Sequence, residues 1–317
     1  MSAIDVVLVS NDPDMGPVRE LNGKMLGVGG RGIPFIEQID VCWKSLFQNW
    51  DHDKLPFTAW HLHTEPLGQR LLAVLAPYRE QGLRVLQVPP VDYHPLGPRY
   101  NRGVALLCEQ LQSPHRLVID ADVIFLGTPP LDLSAPVAAM WCGPGKGEVN
   151  GPIWRDMHAA AEVDYLIDDY TFDYRDVPHA LYHQGDDRRT FSTMFNMGTL
   201  MVRRDLAKTL FVTWVPIIRK LYANLPGSRW LFTQQAMSLA IRKLTPHWQV
   251  LPRGVNFLPI FLPTKEAVKA GVNITLYHYA GVNGRGLEKE VYGEWFDPVP
   301  HYVRPDELTR GPLKSGV

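Results

Sequence analysis

Short apolar runs alternate with stretches of helical period throughout the N-terminal half, and this rhythm limits the fold more than any other feature. Val6-Val7-Leu8-Val9 is a continuous apolar run closed by Ser10-Asn11-Asp12-Pro13-Asp14, the pattern of a strand buried on both faces that enters a loop. Phe35, Ile39, Cys42, Trp43, Leu46 and Trp50 then recur at helical spacing. Thr58-Ala59-Trp60-His61-Leu62 predicts a second strand and residues 68–78 a second helix. A third strand over residues 83–88 stops at Pro89-Pro90, a third helix covers residues 101–111, and Arg116-Leu117-Val118-Ile119 is a fourth strand. Strands and helices in strict alternation build a parallel sheet covered on both faces, because each crossover returns the chain across the sheet in the same hand.

The second half is less regular. Residues 137–142 and 198–202 read as strands, and residues 274–279 give the last strong strand signal. A long helix is expected from Asp205, taken as its N-cap, with Pro216 kinking it, and another helix over residues 232–242. Residues 143–190 are rich in Gly, Asp, His and Tyr with little periodicity, and the chain after residue 290 is loop-rich. The expectation is an α/β fold: one Rossmann-type domain with a mixed, mostly parallel sheet, helices on both faces and an irregular C-terminal half. Its expected span is residues 1–290, in two halves over about 1–130 and 131–290, with a tail over 291–317.

A formal net charge of −1 and a pI near 6.8 exclude a global pull toward nucleic acid or anionic membranes. No run of eighteen apolar residues predicts a membrane span, and Cys42, Cys108 and Cys142 form no metal-type pair, so the chain is read as cytoplasmic with buried reduced thiols.

The fourth strand runs straight into Asp120-Ala121-Asp122. Ligands of open α/β sheets gather beyond the carboxyl ends of the strands. Two carboxylates at this spacing can share one hard cation, and they repel each other unless a cation or proton intervenes. An Asp after a strand also serves as a turn former or helix cap. Haloacid-dehalogenase-type phosphatases offer another use of an apolar strand followed by Asp-x-Asp, with the first Asp as nucleophile. Their motif follows the first core strand and needs a later acidic pair, for which Asp186-Asp187 is the nearest candidate.

The segment 116–126, together with Phe195-Asn196-Met197-Gly198-Thr199-Leu200-Met201-Val202 and His278-Tyr279-Ala280-Gly281, resembles the glycogenin-like retaining glycosyltransferases of the GT-A fold. The resemblance extends from about residue 4 to 285 through short islands. It implies that Asp120, Asp122 and His278 bind Mn²⁺ or Mg²⁺, and that Asp120-Ala121-Asp122 and Gly281 lie against the diphosphate of a nucleotide sugar. Ser10, Asn11, Asp12 and Arg102 would contact the nucleotide, and Asn196, Gln234 and Gln235 the sugar. Arg285 would stand where the family carries a Lys that neutralises the leaving phosphate. Thr233 stands where the family often carries an acid. The implied activity is transfer of a hexose from UDP-glucose or UDP-galactose to an unidentified carbohydrate, lipid-linked or protein hydroxyl, with retention. A GT-A domain that binds nucleotide sugar without catalysis is the alternative.

Weaker patterns remain. The Gly-rich residues 23–32 lack the setting of a phosphate loop and read as a close-packed loop, with Arg31 a possible phosphate contact. The acidic and aromatic residues over 164–176 read as a solvated face or an acceptor groove, and His61 and His63 lack a third neighbour for zinc.

Overall fold

The computed structural model describes residues 2–10, 35–91, 102–141, 152–164, 195–225, 232–245, 247–252, 254–258 and 264–279. The strands are β1 (Ile4–Ser10), β2 (Phe57–His63), β3 (Arg84–Gln87), β4 (His115–Ile119), β5 (Val123–Phe125), β6 (Val137–Trp141), β7 (Phe195–Arg203), β8 (Trp248–Val250) and β9 (Leu276–His278). The helices are α1 (Phe35–Asn49), α2 (Gln69–Glu80), α3 (Arg102–Leu107), α4 (Pro152–Ala161), α5 (Arg204–Asn224), α6 (Phe232–Leu244) and α7 (Thr264–Lys269). Among the described residues no helix is long and apolar enough to cross a membrane.

Seven strands form one sheet in the order β3-β2-β1-β4-β7-β6-β8, and β5 pairs with β9 in a separate ribbon. β1 lies parallel to β2 and β4, β2 to β3, and β6 to β8, whereas β7 is antiparallel to both β4 and β6. The mostly parallel α/β architecture expected from the alternation is therefore present, with one reversed strand.

Burial on both faces explains the continuous apolar runs. In β1, Ile4, Val6 and Leu8 enter a core shared with α1 and α2, while Val7 enters a cluster on the opposite face with Val104, Cys108 and Leu111. In β4, Leu117 and Ile119 face the first cluster and Val118 the second. In β7, Met201 joins the first cluster while Leu200 and Val202 pack against α5 and α6. Cys42 and Cys108 are free thiols buried in these cores, and Cys142 lies outside the described residues.

Several local expectations are corrected. Asp205 does not cap α5: helix geometry begins at Arg204, and Asp205 sits in the first turn, where both carboxylate oxygens accept from Arg203 at 2.6 and 2.9 Å. The long helix expected here is present and ends at Asn224, with Pro216 inside it. The third helix ends at Leu107, and the buried Arg116 guanidinium donates to the carbonyls of Ala105 and Leu106 in its last turn and of Leu111 beyond it. Helix α4 occupies part of the stretch judged aperiodic. The Gly-rich residues, Arg31, the acidic residues 168–176, Asp186, Asp187 and the tail lie outside the described residues.

The two strand histidines are occupied internally. His63 Nδ1 donates to the Glu65 carbonyl at 2.8 Å. His61 accepts at Nδ1 from the Trp43 indole (3.2 Å), so its proton sits on Nε2 and is donated to Ser10 Oγ at 2.8 Å. Burial, with His63 as a second cause, lowers the His61 pKa to about 3. The unfolded chain binds a proton there below about pH 6.5, so between that value and about 3 the unfolded state holds more protons and stability is lost as the pH is lowered, by up to about 1.4 kcal/mol per unit. His61→Leu removes this term. The stability gap between wild type and His61→Leu, measured by denaturant unfolding, is expected to narrow from pH 6.5 to pH 4; a constant gap would contradict a neutral His61.

Candidate functional site

The Asp-x-Asp segment leaves the carboxyl end of β4, where the Asp120 N–H donates to the Gly198 carbonyl of β7 at 2.9 Å. Ala121 is buried in the core, which anchors the segment, while Asp120 and Asp122 stay partly exposed. The chain then re-enters a strand, and β5 pairs antiparallel with β9 so that Val123 stands opposite His278. The Tyr279 N–H donates to the Asp122 carbonyl at 3.2 Å. His278 Nε2 consequently lies 3.3 Å from Asp122 Oδ1. One ligand atom from each of Asp120, Asp122 and His278 lies within 4.8 Å of the others, forming a group that could hold a metal ion. Opposite ligands around an ion bound at ~2.1 Å stand ~4.2 Å apart, so small side-chain adjustments suffice to enclose one. Two carboxylates with one imidazole are a donor set for a divalent cation.

The electrostatics of the pair reach its neighbours. The Cys42 thiol is pushed well above its usual value, chiefly by burial and further by Asp122 and Asp120. Burial, then Asp122, does the same to the Tyr279 hydroxyl. A concentration of negative charge at this sheet edge, receptive to a cation, explains both secondary effects.

Asn196 opens onto the same place from β7. Its Oδ1 accepts the Gly198 N–H at 2.7 Å and the Asn256 amide at 3.0 Å. Gln234 Oε1 accepts the Met197 N–H at 3.2 Å, and Gln235, buried beside it on α6, has an Oε1 with no hydrogen-bond partner among the described residues. Gly198 is required by close approach: a Cβ there would lie 2.3 Å from His278 Cε1 and 2.8 Å from Asn196 Oδ1. Asn256 and the neighbouring Gly254 escaped the sequence reading. Residues 254–257 run beside β9, with the Phe257 carbonyl accepting the His278 N–H at 2.8 Å, and a Cβ on Gly254 would collide with the Asn273 carbonyl at 1.6 Å. Their only sequence signal is a glycine and an amide inserted in an apolar stretch.

The structure thus brings Asp120, Asp122, His278, Asn196 and Gln234 around the carboxyl end of β4. Ser10 closes β1 on the same side of the sheet, one strand away, with its hydroxyl held by His61. Arg102 is the first residue of α3, and only its backbone is described. Asn11, Asp12, Gly281 and Arg285 lie outside the described residues.

This strand order, with the Asp-x-Asp leaving β4, is the fold of the GT-A glycosyltransferases. Among solved structures the chain is similar to the galactosyltransferase LgtC in complex with donor and acceptor sugar analogues, with a TM-score of 0.54 and 14% identity over 93% of this chain and 97% of that one. An active-site mutant of LgtC matches with a TM-score of 0.53 and 13% identity over 87% of each chain. At these identities the likeness establishes the fold. No protein-family model matches the chain, and no curated protein is similar to it by sequence.

Gly198→Ala forces the His278 ring to move, since the new Cβ would lie 2.3 Å from its Cε1 and 2.5 Å from its Nδ1, a strain of about 1–3 kcal/mol. Titration with Mn²⁺ as a probe ion is expected to show about a tenfold or larger loss of affinity in a protein that still unfolds cooperatively; unchanged affinity would remove His278 from the site.

Proposed function

We propose that the chain is a metal-dependent glycosyltransferase that moves a hexose from a nucleotide sugar to a hydroxyl acceptor, with UDP-glucose or UDP-galactose as donor and retention at the anomeric carbon. The observation that carries this reading is the Asp120–Asp122–His278 group at the carboxyl end of β4 within a GT-A fold. The resemblance in the motifs supplies the donor class and the stereochemistry. Asp120, Asp122 and His278 would hold Mn²⁺ or Mg²⁺. Bound there, the cation supplies charge neutralisation to the nucleoside diphosphate as it departs.

The chain's own residues position the rest. Ser10, Asn11, Asp12 and Arg102 would serve the nucleotide, and Asp120-Ala121-Asp122 and Gly281 its diphosphate. Asn196, with its Oδ1 fixed by the Gly198 N–H, offers its NH₂ group to a sugar hydroxyl. Gln234 and Gln235 complete the sugar side from α6, and Arg285 supplies positive charge to the leaving phosphate. The free thiols of Cys42 and Cys108 support a reducing, cytoplasmic setting.

A second reading, binding of nucleotide sugar without transfer, is favoured by one position. Thr233 provides no carboxylate where the resembled family often carries an acid, and its carbonyl accepts the Trp214 indole at 3.2 Å. Turnover decides between the two. Wild type is expected to release UDP from a UDP-hexose in the presence of Mn²⁺. Asp122→Ala should lower that rate by a factor of about a thousand or more while the protein stays folded. Undiminished turnover in Asp122→Ala would sink the site, and UDP-sugar binding without turnover in wild type would establish the second reading.

A further inference from the structure

Asn256 has a costly conformation and environment. It is fully buried and its φ is +65°, in the left-handed region that asparagine enters more readily than other residues with a Cβ. Turn formation explains the φ but not the burial, since an amide withdrawn from water is costly unless its hydrogen bonds are replaced.

The hydrogen bonds around it admit one assignment. A backbone N–H can only donate, so the Gly198 N–H at 2.7 Å marks the Asn196 atom facing it as oxygen. Asn256, 3.0 Å from that same oxygen, must therefore present its nitrogen. Two donors on one side of the Asn196 amide turn its NH₂ group the other way. The cost falls on Asn256, whose Oδ1 is buried with no hydrogen-bond partner among the described residues. An apolar side chain would avoid that cost but could not hold Asn196. The pair sits against the metal-binding group, because Asn196 Oδ1 and the His278 ring both crowd the Cβ position of Gly198. Backbone strain together with a buried acceptor that has no partner among the described residues, held next to a functional group, marks a residue kept for what its other end does.

We propose that Asn256 is a positioning residue for donor-sugar recognition: its amide nitrogen fixes the rotamer and the amide orientation of Asn196, so that the Asn196 NH₂ group is set to donate to a hydroxyl of the hexose. This rests on the nucleotide-sugar reading of the site. Asn256 acts through Asn196, to which its amide donates, and is not one of the three residues grouped for the ion.

The test is calorimetric, with full-length protein and Mn²⁺, comparing the affinity for UDP with that for the UDP-hexose. Their ratio isolates what the sugar adds. Asn256→Asp replaces the donating nitrogen with an acceptor in the same shape, and Asn256→Gly removes the amide while tolerating the positive φ. Both are expected to reduce the sugar's contribution by about three- to tenfold while affinity for UDP and for Mn²⁺ stays within about twofold of wild type. In an Asn196→Ala background the same substitutions should add nothing, since the residue through which they act is gone. Three results would overturn the proposal: an intact sugar contribution in both variants, an equal loss for UDP and UDP-hexose, or effects that add to those of Asn196→Ala. The readout is binding, so a wild-type protein that binds UDP-hexose without transferring it would defeat the transferase reading and leave this test decisive.

Discussion

The antiparallel pairing of Val123 with His278 is the constraint on which the site depends. Asp120 and Asp122 are placed by the end of β4, but His278 comes from a distant part of the chain and reaches them only through the ribbon of β5 and β9. A three-residue strand is too short to hold itself, and α1 supports its other edge. The Phe125 N–H donates to Ser45 Oγ at 3.0 Å, and the Phe125 carbonyl accepts from Asn49 at 2.7 Å. Ser45 is in turn tied to the Cys42 carbonyl at 2.9 Å. The ribbon is thus fixed to a helix whose apolar face, through Ile39, Cys42, Trp43 and Leu46, is packed in the main core. Like charges at Asp120 and Asp122 oppose their own placement, and backbone hydrogen bonds, indifferent to that repulsion, keep them together.

Much of this was legible in the sequence, and the reasons are local. β1, β2 and β4 announce themselves because burial on both faces demands uninterrupted apolar residues. The Asp-x-Asp is legible because it interrupts such a run, and His278 because it ends one. The direction of β7 was not legible: periodicity reports which residues are buried, not which way the strand runs. β5 and β8 are three residues each, below the length at which a period can be counted. Asp205 looked like a cap because an acid at a helix start usually is one, and only the structure shows Arg203 taking both its oxygens. Asn256, between Val255 and Phe257, is marked only as an amide in an apolar stretch; its meaning comes from Asn196, to which nothing in the linear chain connects it.

The reversed strand explains why Asn196 and Asp120 meet. β4 delivers its last residue to the carboxyl edge of the sheet, as do the other parallel strands. Because β7 runs the other way, it is its beginning that lies at this edge: Thr199 stands opposite Ile119, while Arg203 stands opposite His115 at the far end. A parallel β7 would have carried Arg203 to the site and Asn196 away from it. The pairing with β6 makes the complementary adjustment. Ala139 stands opposite Leu200 but Met140 opposite Asn196, so Met197, Gly198 and Thr199 bow away from β6 while Thr199 stays paired to β4. Such a bulge re-aims side chains without breaking the sheet. At its centre Gly198 gives its carbonyl to Asp120, its N–H to Asn196 and its missing Cβ to the His278 ring. One residue therefore touches both the three-residue group that could hold a metal ion and the amide beside it.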